Sequence, residues 1–222
     1  MKNNFKTENL TGKIGHYLAV ESGKNEEVIL FGLKLFTSLI LGYALLILIS
    51  VKLGVFYEAI TAGLTVSIFR AFSGGAHATS QLRCSIIGLL ILIPMSFFVK
   101  YYYFPVSMFL SYLLSVITII GILIIYIYAP ADTPSKPITS QAQKKYLRRI
   151  SFILLFVWSI ISFLLVFYVE RPEVNRLIVS SCFGMIWQII SITPAGYRFV
   201  HILDNSLKII MERRKEYEKN HC

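Results

Sequence analysis

Residues Pro105–Tyr128 read PVSMFLSYLLSVITIIGILIIYIY and contain no charged side chain. A transmembrane helix needs about 20 consecutive, mainly apolar residues, so this run is long enough to cross a bilayer. A helix also satisfies its backbone hydrogen bonds within the segment, as a lipid environment requires. The stretch therefore predicts a helical membrane protein.

The composition of the whole chain supports this prediction. Of its 222 residues, 55% are apolar and only 15% are charged, whereas a soluble domain is nearer one quarter charged. This excludes a soluble enzyme, a disordered protein and a disulfide-rich secreted module. The three cysteines form no C-x-x-C pair and the four histidines are scattered, so neither a disulfide-exchange site nor a metal site is predicted, and no cofactor is expected.

Five further apolar segments predict an all-α, polytopic fold with about six transmembrane helices. Leu53–Phe69 and Cys84–Val99 are short for a span and flank the same glycine-rich loop, which favours an irregular segment buried in protein or lining a wet cavity. The six segments are Val28–Val51, Leu53–Phe69, Cys84–Val99, Pro105–Tyr128, Ile150–Val169 and Leu177–Ile192.

The distribution of basic residues predicts the orientation. With six spans, seventeen Lys and Arg fall on the side of the two termini and four on the other side, and Lys34 lies inside the first span. Cytoplasmic segments carry the Lys/Arg excess, so both termini and the loop at 70–83 are predicted to be cytoplasmic. The predicted divisions are a cytoplasmic segment at 1–27, a membrane domain at 28–192 and a basic cytoplasmic tail at 193–222.

The N-terminal segment contains a short amphipathic pattern. Leu10, Ile14, Tyr17, Leu18 and Glu21 recur at helical spacing, with Lys on the polar face of the stretch. This is typical either of an ordinary capping helix or of a helix lying on the inner membrane surface.

The loop at 70–84, RAFSGGAHATSQLRC, is where the chain combines residues suited to chemistry. A Cys and a His within reach of each other can perform nucleophilic acyl transfer, in which the thiolate attacks a carbonyl and the imidazole moves the proton. Cys84 would lie at the N-terminal end of a span, where the helix dipole and the neighbouring Arg83 and Arg70 favour a thiolate. In the alternative interpretation Cys84 packs at the interface and His77 is a satisfied polar group.

The spacing of this pair sets a structural requirement. Seven residues of straight helix would separate His77 from Cys84 by about 10 Å along the axis, so a catalytic pair needs a bend between them. A third member is open between Asp132, Gln81, Ser73, Thr79 and a plain dyad. Glu58 is excluded because twelve residues of helix separate it from Arg70, which places it at the outer end of its span.

A different class of function also fits the pattern: a small transporter or export channel for a peptide, with the glycine-rich loop as its gate. Against it, no internal repeat is evident, and the spans carry few ionisable groups, chiefly Lys34 and Glu58. Lys34 is interpreted as reaching back to the inner interface.

Arg70, Gly74-Gly75, His77-Ala78 and Cys84, in a membrane chain of this size, resemble the accessory gene regulator protein B (AgrB) family. A second patch, Ala129–Ile138 with the sequence APADTPSKPI, is similar to the proline-rich loop of that family. The resemblance covers essentially the whole chain. One departure is Ser135, where the family pattern has Asn.

The resemblance implies a bacterial plasma-membrane cysteine endopeptidase of quorum sensing, with Cys84 as nucleophile and His77 as general base. Such an enzyme removes the C-terminal tail of a precursor peptide and holds the remainder as a thioester, which an internal Cys or Ser displaces to close a thiolactone or lactone. Arg70, Gly74 and Gly75 match supporting positions, and Arg83 and Asp132 are further candidates. The implied partners are an AgrD-like precursor, membrane lipid and a second copy in a homodimer, with no nucleic acid.

The loop at 129–149 has two interpretations. Its prolines and basic residues are typical of a stiff linker held at anionic lipid. Alternatively, its positive charge docks the acidic tail of the precursor. The basic residues concerned are Lys136, Lys144, Lys145, Arg148 and Arg149.

Overall fold

The computed structural model describes residues 10–23, 25–102, 108–131, 140–169 and 171–221, and this part of the chain folds into eight α-helices without a β-strand. The all-α prediction is therefore confirmed. The helices are α1 (Leu10–Ser22), α2 (Glu26–Lys52), α3 (Phe56–Ser73), α4 (Gln81–Tyr101), α5 (Met108–Tyr128), α6 (Gln141–Tyr168), α7 (Pro172–Ser191) and α8 (Pro194–His221).

Four helices, α4, α5, α6 and α7, are long and apolar enough to cross a membrane. In α2 the apolar part Phe36–Lys52 is shorter, and α3 carries Glu58 and Arg70 and is not one of the four. Six spans and cytoplasmic termini therefore stay a prediction, although each of the six apolar segments lies largely on a helix of its own, α2 to α7.

Two segments that the sequence assigned to a loop and a tail are helical. Helix α6 already begins at Gln141, after Ser140, whose side chain accepts a hydrogen bond from the backbone N–H of Gln143. A serine in this position caps a helix, so the basic residues Lys144 to Arg149 lie on the first turns of α6. The segment at 193–222 similarly forms α8 from Pro194 to His221.

Helix α1 confirms the predicted N-terminal helix and packs closely on α2. A Cβ on Gly15 would lie only 2.2 Å from Leu30 Cδ2. Tyr17 and Val20 are largely exposed on α1. The position of this helix on a membrane surface remains a prediction.

The centre of the bundle is the crossing of α3 and α7. A Cβ on Gly184 would lie 2.6 Å from the carbonyl oxygen of Ala62, so the two backbones approach as closely as glycine permits. At helix crossings in membrane proteins, small residues let the two backbones come close and increase their packing contact. The main core joins α5, α6 and α7 to the C-terminal part of α3, through residues such as Leu110, Leu114, Leu155, Val179, Cys182, Met185 and Phe69.

The outer surface of the bundle is apolar where a lipid bilayer would contact it. Tyr112, Ile119 and Leu123 on α5 and Ile153 and Ile160 on α6 are each 57–70% exposed. Soluble monomers rarely expose a contiguous apolar surface of this kind. These helices accordingly have the surface of a membrane protein.

The two ends of the bundle differ in character. At one end, the Lys100 side chain at the end of α4 donates a hydrogen bond to the Gly54 carbonyl in the α2–α3 turn. At the other end, the connection between α3 and α4 meets Ala131, after α5, and Ser191, at the end of α7. The candidate site lies at this second end.

Candidate active site

The segment 74–80, between α3 and α4, is held by backbone hydrogen bonds to two other parts of the chain. The Ala131 N–H donates to the Ser73 carbonyl at 2.8 Å, and Gly74 and Ala131 form a short parallel bridge. On the other side, the Ala76 N–H donates to the Ser191 carbonyl at 2.9 Å. Because both neighbours are distant in sequence, these bonds fix a loop that would otherwise be free to move.

Gln188 of α7 and Arg70 of α3 complete this support from inside the bundle. The Gln188 side-chain amide, which is buried, donates to Ser73 Oγ at 2.9 Å and to the Gly74 carbonyl at 2.8 Å. Arg70 Nη2 donates to the Ala76 carbonyl at 2.9 Å. Buried polar groups are costly unless they are paired, so this network favours one loop conformation.

Cys84 and His77 are brought together at the mouth of this loop, with 3.9 Å between Cys84 Sγ and His77 Nδ1. The structure meets the requirement for a bend, because residues 74–80 are not helical and α4 begins only at Gln81. The distance is longer than a catalytic hydrogen bond of about 2.6–3.2 Å, but catalytic contacts are often long before the substrate binds.

Cys84 lies on the first turn of α4, as the sequence predicted. Its own N–H donates to the Ser80 carbonyl at 2.9 Å, so this group is already used and does not point to an oxyanion. The position in the first turn still exposes the sulfur to the positive end of the helix dipole.

A carboxylate from α8 joins both sides of the bend. The Asp204 side chain accepts hydrogen bonds from the Thr79 N–H at 3.1 Å, from Thr79 Oγ1 at 2.7 Å and from Arg83 Nε at 2.6 Å. Arg83 Nη2 also donates to Thr79 Oγ1 at 2.6 Å. Burial alone would raise the pKa of Asp204, but the hydrogen bonds from Arg83 and Thr79 outweigh it and hold the pKa below its usual range. The carboxylate is therefore ionised at neutral pH.

An apolar cavity of about 210 Å³ opens beside the cysteine, between α2, α3 and α4. Cys84, His77 and Arg70 line it together with apolar side chains and three glycines. Gly88 lies one helical turn after Cys84, and a Cβ there would meet no atom within 4 Å. The residues that give the cavity its apolar character include Leu39, Leu46, Val66, Leu89, Leu92 and Trp187.

A comparison with protein families matches residues 7–192 to Accessory gene regulator B. This chain belongs to the accessory gene regulator B family. Membership of this family implies a part in the processing step of accessory gene regulator quorum sensing. Together with the four apolar helices, it also indicates that the chain is a membrane protein.

Relatives within the accessory gene regulator B family cover most of the chain. A putative AgrB-like protein of Clostridium perfringens is 28% identical over 89% of this chain and 96% of its own length. A putative AgrB-like protein of Listeria monocytogenes is 27% identical over 85% of this chain and 82% of its own length. The accessory gene regulator protein B of Staphylococcus aureus is 35% identical over 51% of this chain and 59% of its own length. No solved structure matches.

The supporting residues that the AgrB resemblance indicated lie in different places. Arg70, Gly74 and Gly75 are next to the Cys84–His77 pair and build its loop, and Arg83 is bound to Asp204. Asp132 and Lys136 lie outside the described residues.

The other candidates for a third catalytic member have structural contacts. Ser73 Oγ donates to the Phe69 carbonyl at 2.9 Å, and Thr79 is held by Asp204. Glu58 lies in the first turn of α3, at the opposite end of that helix from Arg70, as expected. No residue of the described chain is thereby assigned as a third catalytic group.

Four of the five proposed docking residues lie at the start of α6. Lys145 and Arg149 are exposed, Lys144 is half-buried, and Arg148 Nε donates to the Ala129 carbonyl at 2.7 Å. Among the described side-chain hydrogen bonds, Arg148 thus makes one to the backbone, whereas Lys144, Lys145 and Arg149 make none.

Sequence reasoning missed Asp204 and Gln188. Asp204 lies after the part of the chain that matches the family, and on a segment interpreted only as a basic tail. Asp204 stands in a polar run with Asn205 and Ser206, and neither Asp204 nor Gln188 belongs to a sequence motif that indicates a site. A weak hint was available for Gln188, because it is the single amide side chain within the predicted span Leu177–Ile192.

Proposed function

We propose that this chain is a membrane cysteine endopeptidase that removes the C-terminal tail of a quorum-sensing precursor peptide and allows the rest to cyclise. The observation that supports it best is the approach of Cys84 Sγ and His77 Nδ1 to 3.9 Å beside an apolar cavity. The cell location that follows is the bacterial plasma membrane, with the site on the cytoplasmic side, where an AgrD-like precursor is made.

The first step is acyl transfer to the enzyme. His77 takes the proton of the Cys84 thiol, and the thiolate adds to the carbonyl carbon of the peptide bond to be cut. The tetrahedral intermediate collapses, the C–N bond breaks, and the imidazolium gives its proton to the leaving amine. The tail departs with a free amino group, and the remaining peptide is joined to Cys84 as a thioester.

The second step closes the ring without consuming water. A Cys thiol or a Ser hydroxyl within the bound peptide gives its proton to His77 and attacks the thioester carbonyl. The new C–S or C–O bond forms as the bond to Cys84 breaks, and Cys84 recovers the proton. The apolar cavity supports this route because exclusion of water protects a reactive intermediate from hydrolysis.

The test is cleavage of a synthetic precursor peptide by the full chain in liposomes. Cys84→Ala is expected to abolish cleavage, and His77→Ala to slow it by roughly 10²- to 10⁴-fold, the usual contribution of a general base. Cys182→Ala is the matched control, because Cys182 is a buried cysteine in the core formed by α5, α6 and α7 and should leave cleavage unchanged.

Mass spectrometry of the reaction should show a peptide adduct on Cys84 that hydroxylamine removes. Cleavage that survives both Cys84→Ala and His77→Ala would contradict the peptidase. Passage of intact peptide across the bilayer without cleavage would instead support the transporter.

A further inference from the structure

We propose that Asp204 is a positioning residue for the Cys84–His77 pair, an inference that rests on the proposed function and extends it to helix α8. Its carboxylate is 3% exposed and ties together Thr79 and Arg83. Thr79 is two residues after His77, and Arg83 immediately precedes Cys84. One side chain thus holds the chain on both sides of the bend that brings the two reacting groups together.

The need for such a tie follows from the geometry of the segment. A regular helix through residues 77–84 would place His77 about 10 Å from Cys84 along the axis. The backbone instead remains extended at Ser80 and becomes helical at Gln81. With the Thr79 N–H and hydroxyl bound to Asp204, the residues before Gln81 are held away from a continuation of α4.

Helix α8 is packed in a way that fixes the position of the carboxylate. Val200 belongs to the buried cluster that contains Ala76 of the loop and Trp187, and Leu203 and Leu207 pack against this cluster. Asp204 lies on this same inward side of α8 and is buried with it. Because α8 contacts both α4 and α7, the Asp204 carboxylate is held in a fixed position.

Asp204 also balances the charge beside the nucleophile. Its ion pair with Arg83 has a separation of 2.6 Å, and the Arg83 side chain is only 15% exposed. Removal of one partner from a largely buried ion pair leaves the other uncompensated, which is costly. Loss of Asp204 would thus release both Thr79 and a charged Arg83 next to Cys84.

The test is a double-mutant cycle on the reactivity of Cys84, which needs no peptide substrate. The full chain is used with Cys182→Ser and Cys222→Ser, and the rate of Cys84 alkylation by iodoacetamide is measured with and without His77→Ala. We expect His77→Ala to slow alkylation about tenfold when Asp204 is present, because the thiolate is the reactive form and His77 is the base that accepts the thiol proton. With Asp204→Ala, the same His77→Ala change should have no effect, because His77 no longer reaches the sulfur.

A second variant and a control separate positioning from folding. Asp204→Asn keeps the shape and one acceptor oxygen for Thr79, so it should retain part of the His77 effect on alkylation. In peptide cleavage, the same variant should lower kcat with little change in KM. Asn205→Ala, at an exposed neighbouring position on α8, should behave as the parent. The proposal is wrong if His77→Ala slows alkylation as much in both Asp204 variants as in the parent. It is also wrong if Asp204→Ala does not fold while Asp204→Asn is fully active.

The two proposals fail in different ways. Cleavage that does not need Cys84 or His77 would remove the peptidase, whereas the alkylation cycle would still report whether Asp204 couples the two side chains. Normal peptidase behaviour with no Asp204 dependence would remove the positioning role alone.

Discussion

Of three glycines near the Cys84–His77 pair, two are required by the backbone and the third is not. Gly74 has a φ of 73°, and a Cβ there would lie 1.9 Å from the Ala131 carbonyl oxygen. Gly75 has a φ of 142°, and a Cβ there would lie 2.8 Å from Ser191 Oγ. Both therefore need glycine for backbone conformation and for close approach. Gly88 is an ordinary helical residue, and the space beside it is empty.

The empty space at Gly88 predicts the effect of filling it. Gly88→Leu should place a side chain in the apolar cavity next to Cys84 and lower cleavage by at least about tenfold for a precursor with a bulky apolar residue before the scissile bond. A precursor with Ala at that position should be affected less. The measurement is kcat/KM for the two peptides, because this ratio reports discrimination between substrates.

Gly32→Leu is the matched control for this substitution. A Cβ on Gly32 also meets no atom within 4 Å, but Gly32 is exposed on α2 and does not line the cavity. Both changes replace a helical glycine and should favour the helix by up to about 1 kcal/mol. Equal kcat/KM values for Gly88→Leu and the parent would show that the peptide does not enter this cavity.

At the level of single residues, the sequence singled out the two side chains that the structure brings together, Cys84 and His77, but not the residues that support their loop. Cys84 and His77 could be singled out because their types and spacing carry a chemical meaning within one short loop. Asp204 lies 125 residues from Thr79, and Gln188 lies 115 residues from Ser73. Such contacts depend on how whole helices pack, and no local pattern encodes that packing.

At the level of elements, the first turns of α6 are connected by hydrogen bonds to the loop at 74–80, which carries His77. Arg148 Nε binds the Ala129 carbonyl, and two residues later the Ala131 N–H binds the Ser73 carbonyl. The sequence placed these basic residues in a loop, because the proline-rich run before them hides where the helix begins. As part of a helix, Lys145 and Arg149 have a fixed relation to the site and can offer charge to a peptide tail.

This arrangement predicts different effects for neighbouring basic residues. Lys145→Gln combined with Arg149→Gln should raise KM for a precursor with an acidic tail by about fivefold at low salt, the scale of two exposed charge interactions of roughly 0.5 kcal/mol each. The increase should disappear at high salt, because ions screen exposed charges. Steady-state cleavage at two ionic strengths measures both.

Arg148→Gln is the comparison for this pair. It removes a bond to the backbone near the loop at 74–80, so its effect on cleavage should persist at high salt and also appear as a lower melting temperature in detergent. If Lys145→Gln with Arg149→Gln leaves KM unchanged at low salt, the docking role is wrong and the basic turn is better explained by contact with anionic lipid.

At the level of the whole molecule, the bundle has two opposite ends, and the Lys and Arg residues that predict the orientation are divided between them. The contact between Lys100 and the Gly54 carbonyl places the end of α4 beside the α2–α3 turn, near Lys52. The Cys84–His77 pair, Asp204 and the bonds to Ala131 lie at the other end. The apolar runs predicted the helices well, since length and apolarity alone identify a helix that can enter lipid. Which end faces the cytoplasm depends on the membrane, and the Lys/Arg distribution is the evidence for it.

This orientation predicts which residues a membrane-impermeant thiol reagent reaches in intact cells. Single cysteines are introduced into a chain with Cys84, Cys182 and Cys222 replaced by Ser, at exposed positions near the two ends of the bundle. Leu53→Cys and Tyr102→Cys should be labelled from outside, whereas Tyr146→Cys and Asn205→Cys should be labelled only after the membrane is permeabilised. All four positions are exposed, so a difference in labelling reports sidedness rather than burial. Labelling of Tyr146→Cys from outside would place the loop at 74–80 away from a newly made peptide, and would contradict both the topology and the proposed substrate.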